Sequence, residues 1–103
     1  MAVYPEFDNE ELIKRLKRVT RTDVIRAIRE FQTDFPNPDD YENFLNNGQH
    51  KWLLEFEGQL FPCKYIMGQA IRAHHRQLAG GWGGGKRVNP YFKELGFEIV
   101  LKP

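Results

Sequence analysis

Apolar residues in the first third of the chain recur at helical spacing. Leu12, Ile13, Leu16 and Val19 fall at i, i+1, i+4 and i+7, which predicts an amphipathic helix over 9–19 with Asp8 or Asn9 as its N-cap. Val24, Ile25, Ile28 and Phe31 line one side of a second helix, about 22–34, capped by Thr20 or Thr22. "FPNPDD" breaks it. Asn37 can cap a short third helix, with Pro38 at its first position, Asp39 and Asp40 in its first turn and a stop near "NNG".

The period then changes from helical to alternating. In "KWLLEFEGQLF", Trp52, Leu54 and Phe56 alternate with Leu53 and Glu55, and Glu57-Gly58 is a turn signal, so two short strands are expected. Pro62 stops the second strand and suits the first position of a helix, where no N–H is needed. "CKYIMGQAIRAHHRQLA" places Ile66, Ala70, Ala73 and Gln77 on one stripe, widened by Tyr65, Met67 and Ile71. It predicts a long helix ending at Gly80 or Gly81. Gly68 inside it costs roughly 1 kcal/mol of helix propensity, for which close approach of another backbone is one reason. Beyond a glycine loop, Asn89 as N-cap and Pro90 open a short helix that Gly96 stops. Phe97, Ile99 and Leu101 then share one face of a last strand.

The order α-α-α-β-β-α-α-β implies an α+β fold, a small antiparallel sheet of a hairpin plus the C-terminal strand packed against about five helices. At 103 residues the chain is expected to form one domain, 1–103, with a single modest core. No internal repeat is visible.

Composition changes this picture little, and charge distribution changes it more. A hydrophobic content of 41% with 14% aromatics marks a folding sequence, and the formal net charge of +1 attracts neither nucleic acid nor membrane by itself. The charges are segregated. A cationic run holds Lys14, Arg15, Lys17, Arg18, Arg21, Arg26 and Arg29, and an acidic one holds Glu30, Asp34, Asp39, Asp40 and Glu42. From Gly58 to Lys93 there is no Asp or Glu, while Lys64, Arg72, Arg76, Lys86, Arg87 and Lys93 are present. The single cysteine, Cys63, and the absence of a signal-like start or a long apolar run predict a soluble cytoplasmic protein with no membrane segment.

Several chemistries are suggested and most fail. Gly80 to Lys86 reads G-x-x-x-x-G-K, but a P-loop requires a preceding strand, Ser or Thr after the lysine and a helix at once. Here a helix precedes, Arg87 follows the lysine and the next helix starts at Asn89-Pro90. The loop is then either a flexible connector or a polyanion contact, in which Lys86 and Arg87 neutralise phosphates and Trp82 stacks on a base. Pro62-Cys63-Lys64 opens a helix after a strand, where free N–H groups and Lys64 favour an anion. Cys63 at a helix start has one route to activation, but His74 and His75 lie about three turns further on, and a small buried hydrophobe is the default. His50, Cys63, His74 and His75 lack zinc-ligand spacing. The first two helices have the linker length of a helix-turn-helix presenting Arg21, Arg26 and Arg29. A packed hairpin with a solvated cationic face is preferred.

Gly58, Phe61, Lys64, Ile66, Gly68 and Ala70 stand in order, followed by the Gly80-Gly81 or Gly83-Gly84 pair and by Leu95-Gly96-Phe97. This set resembles the N-terminal head domain of ScoMcrA-type restriction endonucleases, which cleave modified DNA. The similarity covers about 22–101, leaving 1–21 outside as a helical extension of a head-like module. It implies a small α+β module associated with DNA restriction or modified-DNA recognition; it does not imply nuclease activity, since the family's HNH domain has no counterpart in this sequence. The family's loop reads near F-S-G-G-E, whereas this one has Trp82, an extra glycine and Lys86-Arg87. Together these readings predict a non-enzymatic DNA-binding module with no cofactor, metal or small-molecule substrate. Lys64, Arg72, Arg76, Trp82, Lys86 and Arg87 form its contact face. The alternative is a protein-interaction module that regulates or inhibits a defence system.

Overall fold

The computed structural model describes residues 5, 7–37, 52–73, 77, 78 and 88–101. Among these residues are four helices and a three-stranded antiparallel sheet, the expected α+β class. The expected helix after Asn37 lies outside the described residues, as do Arg76, Trp82, Lys86 and Arg87.

Helix α1 (Asn9–Arg18) starts at Asp8, whose carboxylate accepts the Glu11 N–H at 2.8 Å. Only two residues separate it from α2 (Arg21–Asp34). Thr20 caps α2 in a full capping box: its hydroxyl accepts the Asp23 N–H at 3.1 Å, and the Asp23 carboxylate accepts the Thr20 N–H at 3.0 Å. Leu12 and Leu16 of α1 join Val24, Ala27, Ile28 and Phe31 of α2 in one core, so the segment outside the family resemblance is built into the same interior.

Strands β1 (Trp52–Phe56) and β2 (Gln59–Pro62) form the expected hairpin, pairing Leu54 with Phe61 and Phe56 with Gln59. Its two-residue turn has Glu57 at φ 50° and Gly58 at φ 77°, the paired positive angles that suit the strand twist. Strand β3 (Glu98–Leu101) pairs with the other edge of β1, giving the order β2-β1-β3. The simple alternation does not hold in β1. Leu53 and Leu54 are both fully buried, because the central strand is covered on both faces there. Phe61 meets Phe31 edge-on at 5.6 Å, and Phe31 in turn meets Phe35 and Tyr65, so an aromatic cluster ties the sheet to α2 and to α3 (Cys63–Ala70).

Pro62 is the last residue of β2 and the N-cap of α3, one position earlier than expected. The predicted long helix from Cys63 to the glycines is not formed, since α3 ends at Ala70. Its end is a Schellman motif: Ala73 N–H bonds Gly68 O at 2.8 Å, Arg72 N–H bonds Gln69 O at 3.0 Å, and Arg72 adopts φ 59°. Helix α4 (Asn89–Glu94) has Val88 as N-cap, with Asn89 and Pro90 inside its first turn. It closes with the same motif. Phe97 N–H bonds Phe92 O and Gly96 N–H bonds Lys93 O, both at 3.0 Å, with Gly96 at φ 86° and Phe92 against Phe97.

Arginines of α1 and α2 complete these two helix ends. Arg15 donates to Ile71 O at 3.5 Å and Arg21 to Leu95 O at 2.8 Å, and Ile71 and Leu95 are the C-cap residues of α3 and α4. Arg26 bonds Glu30 at 2.6 Å and reaches Gln69 O and Ala70 O, each at 3.2 Å. The last four carbonyls of α3, from Met67 to Ala70, are therefore all bonded.

Two outcomes follow from this arrangement. Arg26→Ala should lower stability by about 2 kcal/mol in urea unfolding, because charged bonds to two part-buried carbonyls are lost. Arg29→Ala, which breaks an ion pair with Glu57 that is about half exposed, should cost less than about 1 kcal/mol. Equal losses would contradict the capping role. Asp23 provides the second. Its carboxyl is held below the ordinary value, first by the Thr20 N–H, against partial desolvation, and then by the Thr20 hydroxyl, Arg26 and Arg72. A depressed folded pKa stabilises above the unfolded value, and that contribution is lost as pH falls through the folded one. Asp23→Ala should cost about 1 kcal/mol at pH 7 and flatten the stability decline below about pH 4. An unchanged acid limb would exclude the capping box as its source.

Candidate nucleic-acid interface

Which cations remain for a partner depends on which ones the fold uses. Arg15 lies across the Phe7 ring at 4.3 Å and bonds Glu11 at 2.9 Å through Nε. Arg21 lies over Phe97 at 4.4 Å, and Arg29 over Phe56 at 5.5 Å. The three arginines that a helix-turn-helix would present, Arg21, Arg26 and Arg29, are thus bound to Leu95, to the α3 end and to Glu57. The hairpin is a packed one and its second helix is a scaffold element.

Lys14, Lys17, Arg18, Lys64, Arg72 and Lys93 make no side-chain hydrogen bond or ion pair among the described residues. Two of these belong to the contact face read from the sequence. Lys64 stands in the first turn of α3, half-buried, at an end that has no side-chain cap. Arg72 is exposed, two residues past the other end. An eight-residue helix is about 12 Å long, so α3 holds them apart and they do not share one phosphate. The other four contact-face residues lie outside the described residues.

Arg72 opens onto a groove of about 340 Å³ bounded by the end of α1, the α1–α2 link and the turn after α3. Arg15, Arg18 and Arg72 line it, with Glu11 and Asp23. The sequence pointed to Arg72 but left Arg15 and Arg18 as a solvated helix face. Only the early end of α3 brings them beside it, and the hydrophobic period carries no sign of that end.

Cys63 is 2% exposed, its Sγ donates to Trp52 O at 3.5 Å, and burial pushes its thiol up to about 12. A protonated, enclosed thiol is a packing group rather than a nucleophile. Tyr65 is also raised, by burial first and then by the nearby Asp34 and Glu30 carboxylates. Among the described residues no three His, Cys, Asp or Glu come together as metal ligands, and no helix is long and apolar enough to cross a membrane. No protein-family model, no curated protein and no solved structure matches the chain.

Cys63 should resist alkylation in the native protein at pH 8 and label fully once the chain is unfolded. Rapid native labelling, read by mass spectrometry, would contradict its burial.

Proposed function

We propose that this protein is a small, non-enzymatic DNA-binding module of the cytoplasm, linked to restriction or to recognition of modified DNA. The observation that carries this reading is the disposition of charge. The stretch from Gly58 to Lys93 is free of carboxylates. Within it Lys64 and Arg72 make no side-chain hydrogen bond or ion pair among the described residues, while the α2 arginines serve the fold. The resemblance of 22–101 to the head domain of ScoMcrA-type endonucleases supports the same direction. On this reading Lys64, Arg72, Arg76, Lys86 and Arg87 hold backbone phosphates and Trp82 stacks on a base.

One feature favours a protein partner as the second reading. Trp52 and Leu101 oppose each other across β1 and β3 at the last described pair of the ladder, 37% and 62% exposed. An exposed aromatic–aliphatic pair beside an edge strand suits an interface with another protein, such as a component of a defence system that this chain regulates or inhibits.

A mobility-shift series with modified and plain duplexes at two salt concentrations separates the readings. DNA binding should fall with salt at a slope of about −0.9 per phosphate contacted, and Lys86→Ala with Arg87→Ala should reduce that slope by about 2. No shift at low salt, with a stable protein complex found by mass measurement, would replace the first reading with the second.

A further inference from the structure

The ends of α3 and α4 are built alike but differ at one residue. Both are Schellman motifs, and in both an arginine from the N-terminal hairpin bonds the C-cap carbonyl, Ile71 in one and Leu95 in the other. At the residue that must take a positive φ, α4 has Gly96 and α3 has Arg72. Glycine adopts that conformation without strain, while a side chain carrying a Cβ is crowded there. For the backbone alone, glycine is the better choice at 72. The arginine side chain makes no hydrogen bond or ion pair among the described residues, and its longer-range attraction to Asp23 is the one internal interaction set against that strain.

What the side chain does is enter the groove beside Arg15 and Arg18. Arg15 is fixed from three sides, by Glu11, by Ile71 O and by the Phe7 ring, and its Nη2 bonds nothing among the described residues. Glu11 pairs with Arg15, while Asp23, which accepts the Thr20 N–H, keeps its charge and faces Arg72. Three guanidiniums thus face two carboxylates, which leaves the groove with positive charge in excess. Guanidinium forks of this kind match the oxygens of a phosphate diester. Five of the eight lining residues are charged, whereas a docking protein would need an apolar centre.

We infer that the groove of Arg15, Arg18 and Arg72 is a phosphate-contact site for the nucleic-acid backbone. Arg72 is held in a left-handed turn that aims it there at the expense of stability. The inference rests on the DNA-binding reading and adds to it a contact surface on the α1 side of the molecule.

Arg72→Gly is the discriminating variant, because it should gain stability as it loses function. Its melting temperature should rise by several degrees, on the order of 4–8 °C, while its affinity for a plain duplex at low salt should fall about tenfold. Arg72→Gly with Arg18→Ala should lower the salt slope by about 2, a change that a merely structural role does not produce. Wild-type DNA binding with unaltered affinity and slope in both variants would overturn the groove and leave the DNA-binding reading standing. Failure of the wild type to bind DNA at low salt would overturn both. Retention of a poly-glutamate peptide in an Arg72-dependent way, without DNA binding, would make the groove a protein site and overturn the inference.

Discussion

The fold depends on guanidinium groups from one helical hairpin closing the ends of two other helices. Helices α3 and α4 have eight and six residues, too short to persist alone. Each exposes carbonyls at its C-terminus, where the helix dipole is negative. Arg15 and Arg26 meet those of α3, and Arg21 meets that of α4. The bonds span 43 to 74 positions of sequence, so they fix the hairpin against both later helices at once. Gly96 shows how tightly this is arranged: a Cβ there would lie 3.2 Å from Arg21 Nη1, on the guanidinium that bonds Leu95 O.

This capping decides which charges are left over. The cationic run in the first 29 residues looks like a nucleic-acid face because basic helices commonly are. In the folded chain its α2 arginines face other helices, aromatic rings and Glu30 or Glu57. Among the described residues, cations without a hydrogen bond or ion pair are found instead on α1, at both ends of α3 and at Lys93 of α4. The same helix termini that draw arginine inward therefore determine where positive charge stays outside.

The elements with local signals were legible in the sequence. Thr20 as one of two candidate caps, the Glu57-Gly58 turn and the Gly96 stop rest on contacts within a few residues, and sequence reasoning placed them closely; the C-terminal strand was legible from its own alternation, although its partner β1 is distant in sequence. The end of α3 was not legible, for two physical reasons. Its C′ residue is an arginine where glycine is the usual signal, and its carbonyls are bonded from far away by Arg26 and Arg15. Hydrophobic period continued through Ala73, so the stripe overran the true stop. The double burial of Leu53 and Leu54 was hidden likewise, since alternation assumes one wet face and β1 is central in the sheet. Of the six contact-face residues, Lys64 and Arg72 are exposed to some degree and make no side-chain hydrogen bond or ion pair among the described residues, but the grouping of Arg72 with Arg15 and Arg18 arises only from the shortened helix.

A net charge of +1 provides almost no long-range attraction for a polyanion. Any affinity must come from local charge, which requires that nearby carboxylates be occupied. The fold meets this requirement by the same devices that stabilise it. Asp8 and Asp23 accept backbone N–H groups at helix starts, while Glu11, Glu30 and Glu57 are paired with arginines. The paired glutamates no longer compete for the remaining cations, and the capping carboxylates keep their charge but are tied to backbone N–H groups, so that among the described residues Arg18 is unopposed and Arg72 faces Asp23. Helix capping and surface charge are therefore one arrangement: a substitution that frees a capping carboxylate alters both the helix end and the field around the neighbouring arginines.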